Sequence, residues 1–97
     1  MQTIVRTYSG LGANALFDVL ERHTADLEKL FRSVEGFVAY TLARTTDGGF
    51  SITMCQSKAG IEDSVQKAQH WIAQNAASTG AARPTILDGS IVLHVTR

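Results

Sequence analysis

Hydrophobic spacing in this chain switches from about two residues to about 3.6 and back, twice. Ile4, Val5 and Tyr8 begin a β-rich run that stops at Ser9-Gly10-Leu11-Gly12. Two glycines in three residues mark a strand-to-helix turn there, and Asn14 is the expected N-cap. Leu16, Leu20, His23, Leu27, Leu30, Phe31 and Val34 then recur at helical spacing within an arc of about 100°. Asp18, Glu21, Arg22, Asp26, Glu28, Lys29 and Arg32 lie largely off that arc. The spacing predicts one amphipathic helix of about five turns, stopped at Gly36.

The period then returns to two. Phe37–Thr45 and Phe50–Gln56 are strand-like runs around Thr46-Asp47-Gly48-Gly49, a strong hairpin signal. Two registers fit. A two-residue turn sets Ala39, Thr41 and Ala43 toward Ile52 and Met54. A loop one residue longer puts Val38, Tyr40 and Leu42 on the face of Phe50, Ile52 and Met54. Ser57-Lys58-Ala59-Gly60 leads into a second helix with a narrow stripe of Ile61, Val65, Ala68, Ile72 and Ala76. Residues 77–82 read as a loop, and Pro84 ends any helical tendency. Thr85–Leu87 and Ile91–Thr96 give a strand pair, or one strand broken at Asp88-Gly89.

The order is β-α-β-β-α-β, an α+β ferredoxin-like plan: a four-stranded antiparallel sheet with two helices on one face. At 97 residues it is one domain, 1–97. Lys+Arg and Asp+Glu are 9 each, so the chain lacks the basic footprint that nucleic acid or an anionic membrane requires. The single cysteine, Cys55, cannot close an internal disulfide, so a reducing, cytoplasmic setting is expected. The first residues show no basic stretch followed by an apolar one. No apolar run approaches the ~18 residues of a membrane span.

Two helices cover one face of such a sheet, and a wet outer face should carry charge. Residues 3–8, 37–44, 50–56 and 91–96 contain only Arg6 and Arg44 as charged side chains. A sheet neutral on both faces asks for a second cover, and a second copy of the chain is the simplest one. The expected partner is therefore the chain itself, in a two-fold dimer packed sheet to sheet. The competing picture is a monomer with a wet, Thr-rich outer face.

Gly36-Phe37-Val38-Ala39-Tyr40 after a long helix, the turn at Asp47-Gly48-Gly49, and Ser57-Lys58-Ala59-Gly60 before a helix carrying Trp71 resemble the dimeric α+β-barrel superfamily. The resemblance is nearest to its antibiotic biosynthesis monooxygenase-like domains. It spans nearly the whole chain and implies a frame shared by cofactor-free quinone-forming monooxygenases, haem-degrading enzymes and small isomerases. The haem-degrading members are similar to one another in an Asn on the first strand, a Trp on the second helix and a His soon after. Here Trp71 is present, the first strand has no Asn, and no His follows Trp71 until His94.

His23 sits near the middle of the first helix's stripe and could serve as a base, or simply be a buried, hydrogen-bonded ring. Trp71 shares a helix flank with Ser64 and Asn75, so it could wall an aromatic pocket or close the edge of the core. Arg6 and Tyr8 share a strand face and, with Tyr40, could hold an anionic or phenolic oxygen. The alternative for them is a barrel-rim salt bridge and structural hydroxyls. His70 reads as solvated, His94 as structural and Cys55 as a small buried hydrophobe. No HxH, HExxH or paired-cysteine spacing points to a metal, and no phosphate loop or G-x-S-x-G elbow is present, so no cofactor is expected.

Two functions fit. One is a cofactor-independent oxygenase acting on a small aromatic substrate, with His23 catalytic and Trp71, Tyr8, Tyr40, Arg6 and Asn75 around the ligand. The other is a non-catalytic dimeric module that binds a small ligand or is purely structural. A cavity between helices and sheet containing His23 would favour the first. A helix–sheet space filled by Phe17, Leu20, Phe31 and Ile72 would favour the second.

Overall fold

The computed structural model of the chain describes residues 1–97. Strand β1 (Gln2–Ser9) runs into α1 (Ala13–Arg22), followed at once by α2 (Thr24–Arg32). The hairpin of β2 (Phe37–Thr45) and β3 (Gly48–Cys55) comes next. Then follow α3 (Lys58–Asn75), a single 3₁₀ turn at Ala77–Thr79, and β4 (Thr85–Ser90). The strands form one antiparallel sheet in the order β2-β3-β1-β4. This is the ferredoxin-like plan expected from the sequence. Helices α1 and α3 pack over β1 and β3, while α2 leans over β2. The core between them holds Ile4, Leu16, Phe17, Leu20, Leu27 and Phe31.

The expected single first helix is two helices. At His23 the backbone leaves the helical region (φ −123°, ψ 31°), and its N–H closes back on the Leu20 carbonyl at 3.1 Å. The apolar stripe cannot reveal this break, because Leu16, Leu20, Leu27 and Phe31 keep helical phase across it. The bend lets α2 follow the twist of the sheet toward its β2 edge.

Asn14 is not the N-cap. Gly12, at φ +83°, precedes the first turn, and a Cβ there would strike Thr79 and Ala81 backbone. Asn14 instead reaches the Thr46 carbonyl at 3.4 Å. The hairpin adopts the two-residue turn: Thr45 pairs Gly48, Thr41 pairs Ile52, and Ala39 pairs Met54. Strand β4 runs unbroken through Asp88-Gly89 and ends at Ser90, so Ile91–Thr96 is not a strand. Those residues find no neighbouring strand within this chain.

Register sorts the side chains by face. Ile4, Arg6, Tyr8, Tyr40, Leu42, Ser51, Thr53 and Cys55 look toward the helices. Val5, Ala39, Thr41, Phe50, Ile52, Met54 and Leu87 look away from them. Arg44, opposite Gly49, also faces the helices, where it binds Asp18 at 2.7 Å and Glu21 at 3.0 Å. Both strand arginines therefore leave the outer face uncharged.

Gly49 sits beneath the Phe17 ring, and any Cβ there would collide with that ring and with the Ala43 carbonyl. Gly49→Ala should lower the unfolding free energy by about 1–3 kcal/mol through overpacking. Urea denaturation followed by circular dichroism checks this; an unchanged midpoint would contradict the α1–β3 contact.

Candidate functional site

Strand alternation brings Arg6 and Tyr8 to the helix side of the central strand β1. The two-residue hairpin turn places Tyr40 and Ser51 on the same side. Helix α3 adds Trp71 and Ile72 from above, and α1 and α2 add Leu20, Leu27 and Phe31. Together they enclose a space of about 20 Å³, room for about one water molecule. The helix–sheet layer is thus nearly filled, but its floor is charged.

Arg6 is only 3 % exposed. Its Nε donates to Ser51 Oγ at 3.4 Å. The ion pairs of the chain join Arg32 to Glu28, Arg44 to Asp18 and Glu21, and Lys67 to Asp63; Arg6 is in none of them. The salt-bridge alternative for Arg6 therefore does not hold. Arginine keeps its charge in proteins, and an unpaired buried charge is costly, so this guanidinium is a strong attractor for an anion.

Two wider clefts meet this waist. One, of about 520 Å³, lies under α3 and the segment leading to β4; Arg6, Tyr8 and Ile72 line it as well as the small space. The other, of about 440 Å³, opens between α2 and β2 and shares Leu27, Phe31, Tyr40 and Leu42.

The tyrosines are held neutral. Burial pushes the Tyr8 phenol above its ordinary value, against the opposing pull of Arg6. Tyr40, stacked on Phe31 with centroids 3.7 Å apart, is pushed up to about 12 by burial, although Arg6 and the Ser51 hydroxyl pull it down. Both are therefore hydrogen-bond donors near neutral pH.

The sequence candidates separate in space. Arg6, Tyr8, Tyr40 and Trp71 share the small space. His23 does not line it. Half-buried at the α1–α2 junction, its Nδ1 lies 2.9 Å from the Val19 carbonyl, and its ring meets Trp71 edge-on at 5.5 Å. The stripe placed this ring inside because it assumed a continuous helix. Asn75 is exposed and donates to the Trp71 carbonyl at 2.9 Å, so it ends α3 rather than facing a ligand. Ser64 is buried and donates to the Ile61 carbonyl. His94 is exposed on the C-terminal segment. Ser51 and Arg83 were not legible as site residues. Ser51 needed the hairpin register, and Arg83 lies in a stretch whose composition says only loop.

No group of three His, Cys, Asp or Glu side chains could hold a metal ion. No imidazole or thiol lines the waist or either cleft beside it.

No family model and no curated protein matches the chain. Solved structures do match it in three dimensions. SnoaB of Streptomyces nogalater, a cofactor-independent oxygenase, is 20 % identical, with a TM-score of 0.66 over 99 % of this chain and 97 % of its own. MhuD of Mycobacterium tuberculosis, a haem-degrader with two haems bound, is 18 % identical, at 0.65 over 98 % of each chain. A dimeric ferredoxin-like protein from an uncultured marine organism is 11 % identical, at 0.67 over 99 % and 96 %. The chain has the fold of the antibiotic biosynthesis monooxygenase-like proteins. The expected resemblance holds at the level of that fold.

Tyr8 and Tyr40 set an alkaline limit on the structure. The folded state keeps their protons to a higher pH than the unfolded chain, whose phenols ionise near ~10. Between that point and about 12 the folded state binds more protons, so stability falls as pH rises. It should be fully present below pH ~10. Unfolding midpoints across this range, with tyrosinate absorbance appearing together with unfolding, check this; early ionisation without unfolding would contradict it.

Proposed function

We propose that this protein binds a small aromatic molecule as its oxyanion in the cleft under α3 and oxidises it with O₂ without a cofactor. The observation that carries this is Arg6, a buried cation with no carboxylate partner, bordering a cleft large enough for an aromatic ring. A cation in a dry site lowers the pKa of a bound phenol or enol, because it favours the charged form. The anion is electron-rich and can pass one electron to O₂. The radical pair recombines to a hydroperoxide. Loss of water then leaves a carbonyl, with one oxygen atom in the product and the other in water. Tyr8, neutral and beside Arg6, supplies a donor to the same oxyanion.

Anthrone is a suitable probe, since its enol is a phenol and its oxidation follows this scheme. The protein should raise its O₂ uptake above autoxidation. Arg6→Met should lower that rate by roughly 10²-fold, the scale for losing one preorganised donor. Folded stability should stay level or rise, because the change removes an uncompensated buried charge. Uptake equal with and without protein would overturn the oxygenase reading.

A second reading, a non-catalytic binder of the same anions, is the one that the sequence criterion favours: the helix–sheet space has room for about one water molecule, Leu20, Phe31 and Ile72 surround it, and His23 does not line it. The two tyrosines stay protonated near neutral pH, and the His23 ring lies outside the waist. The site would then select ligands that are already ionised.

The protein is also proposed to act as a two-fold homodimer through the outer sheet face. That face carries no charged side chain, and Leu87 on it is 71 % exposed. Val92, Leu93 and Val95 beyond β4 are exposed too, so the apolar surface extends past the sheet. Light scattering at micromolar concentration should give about twice the 10.5 kDa of one chain. A monomer mass would refute the proposal.

A further inference from the structure

The cleft under α3 has a second cation. Arg83, in the segment before Pro84, lines the same cleft as Arg6 and likewise takes part in no ion pair. No carboxylate lines this cleft, in a chain whose net charge is zero. Much of its remaining lining is apolar: Leu16, Val65, Ile72, Pro84 and Ile86. Gln69 adds one neutral polar group. The two guanidiniums differ in setting. Arg6 is on the floor, held by the ladder between Ser51 and Ile86; Arg83 is exposed. A ligand that uses both must be flat and apolar in its middle and anionic at two places.

We infer that the cleft takes aromatic acids, with an acidic ring hydroxyl at Arg6 and a carboxylate at Arg83. This rests on the reading that the ring lies under α3. It adds a substrate class that the buried cation alone does not give. Arg83 suits a carboxylate because its planar guanidinium offers parallel donors to two oxygens, and it suits the mouth because a carboxylate keeps part of its hydration there. Arg6, enclosed by Tyr8 and Ser51, suits a single oxygen atom whose charge spreads into a ring.

The test uses three probes on the intact protein: 6-hydroxy-2-naphthoate, its neutral carboxamide, and 2-naphthol, each titrated by calorimetry. The naphthoate should bind about tenfold more tightly than the carboxamide, the scale of one charge-assisted contact. Arg83→Gln should erase that preference and leave 2-naphthol affinity as it was. Arg6→Met should weaken all three probes. A preference that survives Arg83→Gln would overturn the inference, as would equal binding of naphthoate and carboxamide to the wild type. A preference lost in Arg6→Met but kept in Arg83→Gln would place the carboxylate on the floor and also overturn it. If no probe binds, the whole cleft reading fails. If the preference behaves as expected while anthrone is not oxidised, only the oxygenase reading falls.

Discussion

A guanidinium held out of water beside two phenols and a serine, with no acid to neutralise it, sets the terms for the rest of this molecule. Removing such a charge from water costs several kcal/mol unless something compensates it. Here the compensation inside the chain is thin: one long bond to Ser51 and the border of an open cleft. Arg6 pulls both tyrosine phenols downward, but burial pushes them up more strongly. Burial wins, so the site contains a fixed cation and two hydroxyl donors. All three groups favour an incoming negative oxygen, and none of them removes a proton.

That arrangement decides how chemistry could proceed. A site with a base creates its own anion. A site with only a cation and donors shifts the ligand's ionisation and holds the result. The His23 ring lies outside the waist and meets the Trp71 ring edge-on at 5.5 Å. With Nδ1 against the Val19 carbonyl, the ring braces Trp71 and the helix junction together.

The sequence carried the topology because alternating periods survive tertiary packing. Element order and the placement of Arg6 with Tyr8 on one face of β1 follow from spacing alone. Three local features did not. The break at His23 leaves no trace in the stripe, because the residues on either side stay in phase. The hairpin register hinged on one residue, and only the two-residue turn brings Tyr40 and Ser51 toward Arg6. The start of α1 was set by a close approach of Gly12 to the Thr79–Ala81 backbone, a contact between segments far apart in sequence. Arg83 was hidden for the same reason: its place beside the cleft comes from how α3 and the segment before β4 pack, and neighbouring residues say nothing of it.

The sheet is arranged contrary to the usual allocation, in which an inner face is apolar and an outer face polar. Its helix-facing side mixes Ile4, Leu42 and Cys55 with Arg6, Arg44, Tyr8, Tyr40, Ser51 and Thr53, while its uncharged outer side mixes Val5, Phe50, Ile52, Met54 and Leu87 with Thr3, Thr7, Thr41 and Thr85. Polar groups on the inner face lower the stability that the helix layer can supply, and apolar groups on the outer face gain little while they meet water. In the proposed dimer both costs would be offset by one event, the covering of the outer face by a second copy. Association would then supply stabilisation that the polar groups of the inner face do not. The cleft lies on the opposite side of the sheet from that proposed contact, so dimerisation through the outer face would leave it open in each copy.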